Sequence, residues 1–153
     1  MAEKAKIYFD TCCYNRPFNL QKDSGVREET EAILEIYDRV QKDEIILVSS
    51  ELVRDEITAT SITLLRDSLL LFLKLADDEI VITEKIQSRA AFLKGQSLRD
   101  ADALHLAIAE NANATLLTVD KRFLNKVKKL EENLKIKMFN PVDYLKILKE
   151  SSE

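Results

Sequence analysis

Two short apolar runs in this chain each stop on an aspartate, and that repetition limits the folds open to it more than any other feature. The first is Lys6-Ile7-Tyr8-Phe9, ending on Asp10. The second closes residues 98–120, LRDADALHLAIAENANATLLTVD, which reads as an Ala-rich amphipathic helix, a turn at Asn111-Ala112-Asn113, and an apolar run over 115–119 that ends on Asp120. An apolar run without alternation suits a strand buried on both faces of a parallel sheet. An acid at the end of such a strand lies at the carboxyl edge of the sheet, where open α/β folds bind their ligands.

The rest of the chain supplies the elements such a sheet needs. Residues 11–18, TCCYNRPF, read as a loop or broken turn, because Pro17 restricts Arg16 away from helix. Residues 25–42 form an amphipathic helix, 44–48 a strand, and Ser49 or Ser50 caps the next helix, SELVRDEITAT. A leucine-rich helix over 63–76 carries apolar residues on more than one face, which implies a partner. A short strand at 80–82, a helix at 84–94, a turn at 95–97, a helix from 121 to about 134, a strand at 136–139 and a terminal helix from Pro141 to 149 complete the pattern. Alternating strands and helices give a parallel sheet covered on both faces with right-handed crossovers, and can bring Asp10 and Asp120 together. With 153 residues and only two Gly and two Pro, one helix-rich α/β domain spanning 1–153 is expected, not a disordered or all-β chain.

Composition removes several classes of function. The adjacent Cys12 and Cys13 rarely bridge, so free thiols and a reducing, cytoplasmic setting are expected. With a single histidine in the chain, a structural zinc site lacks ligands. The longest unbroken apolar run is far too short to span a membrane. A net charge of −4 does not advertise a nucleic-acid binder, yet residues 121–137 hold seven Lys or Arg against two Glu, and residues 22–56 eleven acids against five bases. A basic segment just after Asp120 suits a polyanion held over an acidic centre, although it equally suits a solvated helix face.

Four carboxylates have reasons to converge: Asp10 and Asp120 at strand ends, Glu56, and one of Asp100 and Asp102. In the helix after Ser50, Glu51 and Asp55 share a polar stripe, whereas Glu56 falls on the largely apolar stripe with Leu52 and Val53, where a carboxylate needs compensation. Ser97-Leu98-Arg99-Asp100 resembles a capping box, so Asp100 is expected to cap and Asp102, about 200° around the helix, to face the site. Clustered acids raise one another's pKa, and oxygen-preferring cations relieve them. Mg2+ or Mn2+ held this way supports in-line phosphoryl displacement, which makes a phosphodiester the natural substrate.

With these motifs in order, YFDT, SELVRDEI, DALHLAIA and TLLTVD followed by Phe123, the chain resembles the PIN-domain nucleases, and within them the toxin-like branch related to VapC ribonucleases. The resemblance covers nearly the whole chain. It implies a three-layer α/β/α fold with a five-stranded parallel sheet, metal-dependent cleavage of RNA, frequent homodimers and a possible antitoxin partner. It also implies that Asp10, Glu56, Asp102 and Asp120 bind the metal and carry catalysis. His105 and Leu106 depart from the small apolar residues common in relatives, and the Asn15-Arg16-Pro17 loop looks like a subgroup feature.

Plainer readings stand beside these: Asp10 and Asp120 as turn caps, Glu56 as a buried salt-bridge partner, His105 as a packed, hydrogen-bonded ring one turn after Asp102. Candidate substrate-binding residues are Thr11, Arg16, His105, Thr118, Lys121 and Arg122, by proximity to the acids. The main alternative function is a non-catalytic PIN-like module that binds RNA or protein. A phosphotransfer domain would need a second acid two residues after Asp10, where Cys12 stands.

Overall fold

A computed structural model describes residues 3–130, 134 and 136–151. The chain opens with β1 (Ala5–Phe9), α1 (Thr11–Asn15), a 3-10 turn (Arg16–Phe18), α2 (Ser24–Gln41), β2 (Ile45–Ser50), α3 (Glu51–Thr58) and α4 (Thr63–Leu73). It continues with β3 (Asp78–Ile80), α5 (Glu84–Lys94), α6 (Asp100–Asn111), β4 (Thr115–Leu117), α7 (Lys121–Lys128), β5 (Met138–Phe139) and α8 (Pro141–Ser151). The five strands form one sheet in the order β3-β2-β1-β4-β5, and every pairing is parallel. The order runs outward from β1 to β3 and then reverses through β4 to β5, so the switch point lies between β1 and β4.

Successive strand residues point to opposite faces. Ile7, Tyr8 and Phe9 are nevertheless all fully buried, as are Leu116 and Leu117, so the centre of the sheet is covered on both sides. Removing one such side chain to the β-carbon typically costs about 2–5 kcal/mol, which is why the apolar runs of β1 and β4 define the core. Helix starts follow local chemistry. Asp23, Ser50, Thr83 and Asp120 each accept a backbone N–H of the helix they precede. Asn113, in the left-handed region at φ 54°, turns the chain from α6 into β4.

Several expectations need correction. Residues 11–18 are helical, and Arg16 itself is α-helical at φ −53°, ψ −44°, because Pro17 sits at the start of the 3-10 turn, where its missing N–H costs nothing. There is no capping box before α6. Ser97 lies at φ 73°, Arg99 holds the cap position without a side-chain hydrogen bond, and Asp100 is exposed and pairs with Lys94 at 2.8 Å. Helix α6 is less amphipathic than its sequence suggests, since Ala103 and residues 105–109 are all buried. Glu51 is not merely solvated, because its Oε2 accepts the N–H of Ile82 at 2.9 Å and ties α3 to the end of β3. Helix α7 ends at Lys128, β5 starts at Met138, and residues 131–133 of the longer helix expected there lie outside the described residues.

Candidate active site

The register Tyr8↔Leu116, Phe9↔Leu117 continues one step further, so Asp10 stands beside Thr118 across the switch point. The Asp10 N–H donates to the Leu117 carbonyl at 2.9 Å and closes this corner. Although Asp10 occupies the cap position of α1, its side chain makes no capping bond. The carboxylate, 7% exposed, instead accepts the Thr118 hydroxyl at 2.8 Å and the Cys12 thiol at 3.3 Å on Oδ2. Thr118 Oγ1 also accepts the N–H of Asp120 at 3.0 Å. One buried hydroxyl thus braces both strand-end acids. Asp120 caps α7 as well, since its Oδ1 accepts from Phe123 N at 3.2 Å and leaves Oδ2 for other work.

Asp102, on the first turn of α6, completes the group. Burial raises its pKa most, followed by the charges of Asp10 and then Asp120, which outweigh His105 and Arg99. The charges of Asp10 and Asp120 thus both act on Asp102 at the carboxyl edge of the sheet.

Glu56 reaches the same edge from α3, but it is already engaged. Its Oε1 accepts from Thr11 Oγ1 at 2.9 Å and lies 2.6 Å from His105 Nε2. Burial alone would raise its pKa, yet the His105 hydrogen bond, the charge of that ring when it is protonated and the Thr11 hydroxyl together lower it. His105 is 2% exposed, and its Nδ1 lies 2.7 Å from the Tyr8 hydroxyl, which in turn lies 2.7 Å from Ser50 Oγ. One assignment of protons satisfies all of these groups. Ser50 donates to Tyr8, Tyr8 donates to Nδ1, Nε2–H donates to Glu56, and Ser50 Oγ accepts from Val53 N at 3.2 Å. Burial pushes the Tyr8 phenol well up, which keeps it a donor. Both ring nitrogens are thus engaged within the protein, Nδ1 by Tyr8 and Nε2 by Glu56. His105 Nε2 also stands 3.5 Å from Asp10 Oδ1, so the chain of hydrogen bonds touches both acids.

The remaining candidates separate. Thr11 is buried against Glu56, whereas Lys121 and Arg122 are exposed at the start of α7. Those two share a cleft with Arg16 and Asp120. Sequence reasoning missed Tyr8 as part of the site, and it missed Cys12, Glu29 and Asn140. Only Cys12 carried a local signal, being two residues after the first acid.

A divalent cation is testable against this geometry. Among the described residues, no three Asp, Glu, His or Cys side chains are placed around a common point that could hold an ion. The donor chemistry nonetheless suits one. Asp10, Asp102 and Asp120 offer only oxygen, and the raised Asp102 pKa records a repulsion that a cation relieves.

The PIN domain family model matches residues 7–130. Among curated proteins, none matches the chain. Solved structures similar in fold include FitAcB from Neisseria gonorrhoeae, 16% identical over 88% of this chain and 97% of that one, with a TM-score of 0.59. VapBC2 from Rickettsia felis, bound to a DNA fragment from its promoter, is 15% identical over 88% and 98%, with a TM-score of 0.61. VapBC-5 of the toxin–antitoxin systems of Mycobacterium tuberculosis is 16% identical over 89% and 98%, with a TM-score of 0.53. The family match spans most of the chain, including Asp10, Asp120 and the helices that carry Glu56 and Asp102, and so the chain belongs to the PIN domain family.

Proposed function

We propose that residues 1–153 act as one nuclease domain, a Mg2+- or Mn2+-dependent endoribonuclease and the toxin of a toxin–antitoxin pair. The observation that carries this reading is the meeting of Asp10 and Asp120 through the Thr118 hydroxyl at the switch point of a parallel sheet, with Asp102 near enough to feel both charges. In this reading Asp10, Asp102 and Asp120 hold the ion, and Glu56 joins them as the fourth acid. A bound ion supplies activation of the attacking water and neutralises charge developing on the phosphoryl oxygens. The chain's own residues set the geometry. Thr118 fixes the spacing of Asp10 and Asp120, while Thr11 and His105 hold Glu56 ionised and aimed at the edge.

The toxin assignment draws on the fold shared with VapBC-5 of the toxin–antitoxin systems of Mycobacterium tuberculosis. The free thiols of Cys12 and Cys13 support a cytoplasmic setting, and no helix among the described residues is long and apolar enough to cross a membrane. Exposed Leu64 and Leu71 on α4 support a homodimer or an antitoxin contact. Monodisperse monomer in light scattering at tens of micromolar, with no partner captured, counts against both.

One observation favours the other reading, a non-catalytic module that binds RNA or protein. The Glu56 carboxylate is already tied to His105 and Thr11. A metal titration with mixed RNA substrates, run beside Asp10→Asn, decides between them. Cleavage that needs the ion and is lost in Asp10→Asn supports the enzyme. RNA binding without cleavage at any metal concentration supports the module.

A further inference from the structure

The Asn15-Arg16-Pro17 segment lies outside the acid cluster, yet the fold holds it with unusual care. The Arg16 carbonyl accepts from Gln21 Nε2 at 3.0 Å, from Asn19 N at 3.1 Å and from Thr30 Oγ1 at 3.4 Å. Its side chain is held from below by Glu29, a carboxylate only 8% exposed, with Nε 3.2 Å from Oε1. That N–H forms an ion pair without pointing along a hydrogen bond, and the buried Nε has no hydrogen-bond partner. The other Glu29 oxygen accepts from Asn140 Nδ2 at 2.6 Å, just beyond β5. Arg16 Nη1 donates to Asn19 at 3.1 Å, and no described residue takes a hydrogen bond from Nη2.

A charged side chain anchored at both ends is costly to order, and salt bridges alone return little of that cost. Its surroundings give the arrangement a use. Arg16, Lys121 and Arg122 line one cleft of about 440 Å3 together with Asp23, Glu29 and Asp120. Two of the acids there are already committed. Asp23 caps α2 through Gly25 N and Val26 N, and Glu29 is shared by Arg16 and Asn140. Asp120 lines the cleft and belongs to the acid cluster, so the two adjoin at that residue. Lys121 and Arg122 are exposed and make no ion pair or hydrogen bond with their side chains among the described residues.

We propose that this cleft is the subsite for an internal phosphodiester of single-stranded RNA, next along the strand from the one cleaved. Arg16 binds the phosphate oxygens, Glu29 and Asn140 are positioning residues behind it, and Lys121 and Arg122 flank the backbone. The volume falls in the range of small-ligand pockets, roughly 300–1,000 Å3, and accommodates about one nucleotide. The assignment rests on the nuclease reading for its substrate, and it gives the Arg16 segment a role.

The test is equilibrium binding of a short fluorescent single-stranded RNA in EDTA, where cleavage is absent, measured as affinity against salt. Arg16→Lys keeps the charge but loses the planar fork, so affinity should fall about tenfold with the salt slope unchanged. Removing Arg16 alone strands a buried carboxylate, so the paired change Arg16→Met with Glu29→Gln is the second variant. It, Lys121→Ala and Arg122→Ala should each reduce the slope by about 0.7. Lys128→Ala, at the far end of the same helix, should change neither. The RNA with a 5′-hydroxyl should bind as well as its 5′-phosphorylated form.

Wild-type affinity in Arg16→Lys and in the paired variant overturns the proposal. So does an equal loss in Lys128→Ala, which would mean diffuse charge, or a strong preference for the 5′-phosphate, which would mean a terminal site. If cleavage with metal persists while the Arg16 variants bind normally, only the cleft assignment fails. If the wild-type protein neither cleaves nor binds RNA, the nuclease reading fails with it.

Discussion

Tyr8→Phe removes one oxygen atom and leaves the shape of the core unchanged, which makes it a clean probe of the chain from Ser50 to Glu56. Tyr8 is 0% exposed and His105 2%, so water does not replace the lost hydroxyl. Two contacts of 2.7 Å disappear. His105 Nδ1 is left as a buried acceptor without a donor, at a cost of about 1–3 kcal/mol. Ser50 keeps the Val53 N–H as a donor to its oxygen and loses only an acceptor for its own proton, adding about 1 kcal/mol. The loss should therefore total about 2–4 kcal/mol, a large share of the roughly 5–15 kcal/mol typical of a domain. Urea unfolding should show a lower midpoint with an unchanged slope, since no additional surface is exposed. The midpoint of thermal unfolding should fall by about 4–16 °C, at roughly 2–4 °C per kcal/mol for a chain of this size. A loss below about 0.5 kcal/mol, the level of an ordinary surface substitution, would refute the continuous chain. His105 would then have to be held by Glu56 alone.

Asp102→Asn should raise the thermal midpoint in EDTA, because a carboxyl whose folded pKa is raised costs stability once pH exceeds that pKa. A gain of about 0.5–2 kcal/mol is typical for relieving strain at a functional site. The same variant should lose most of the stabilisation that Mg2+ or Mn2+ gives the wild type, and an unchanged midpoint in EDTA would count against the repulsion. Asp10→Asn, Asp102→Asn and Asp120→Asn should each lower RNA cleavage by about 100-fold or more. Asp100→Asn, which breaks only an exposed pair with Lys94, should stay within about 1 kcal/mol and keep its rate, and the reverse pattern would move the site around α6. Glu56, with its folded pKa lowered, adds stability at neutral pH that is lost as pH falls below its ordinary value of 4.5. Glu56→Gln should flatten that acid limb of the stability curve, and an unaltered limb would mean the His105 and Thr11 contacts do not hold in solution.

The elements most legible in the sequence were those with long periodic patterns or buried runs. Residues 84–94 were bounded as the structure has them, and the two apolar runs that lead to Asp10 and Asp120 proved to be neighbours, although β4 stops at Leu117, short of the 119 expected. Local chemistry misled where tertiary contacts took over. Pro17 argued against helix at Arg16, but Glu29, Asn19, Gln21 and Thr30 together hold Arg16 in a helical conformation. Ser97 had the composition of a cap, but the turn out of α5 needs a positive φ there, so its hydroxyl is carried away from the helix start. Helical phase turned Glu56 away from the polar stripe of Glu51 and Asp55, and its side chain, still 36% exposed, meets the buried His105. It could not show that the interior partner of Glu56 would be a histidine from another helix, because Tyr8, Ser50 and His105 meet only through the strand order. Glu29 and Asn140 were beyond reach for the same reason, lying 111 residues apart in the chain.

The placement of Thr118 beside Asp10 follows from the parallel register of β1 and β4. The spacing of that pair is therefore the pitch between neighbouring strands, about 4.8 Å, and is a property of the backbone. Side chains around it can be exchanged freely so long as the two strands still pair, and the hydroxyl will still arrive at the carboxylate. Such a corner is insulated from drift elsewhere in the sequence. A fold held in common at 15–16% identity is what that insulation permits.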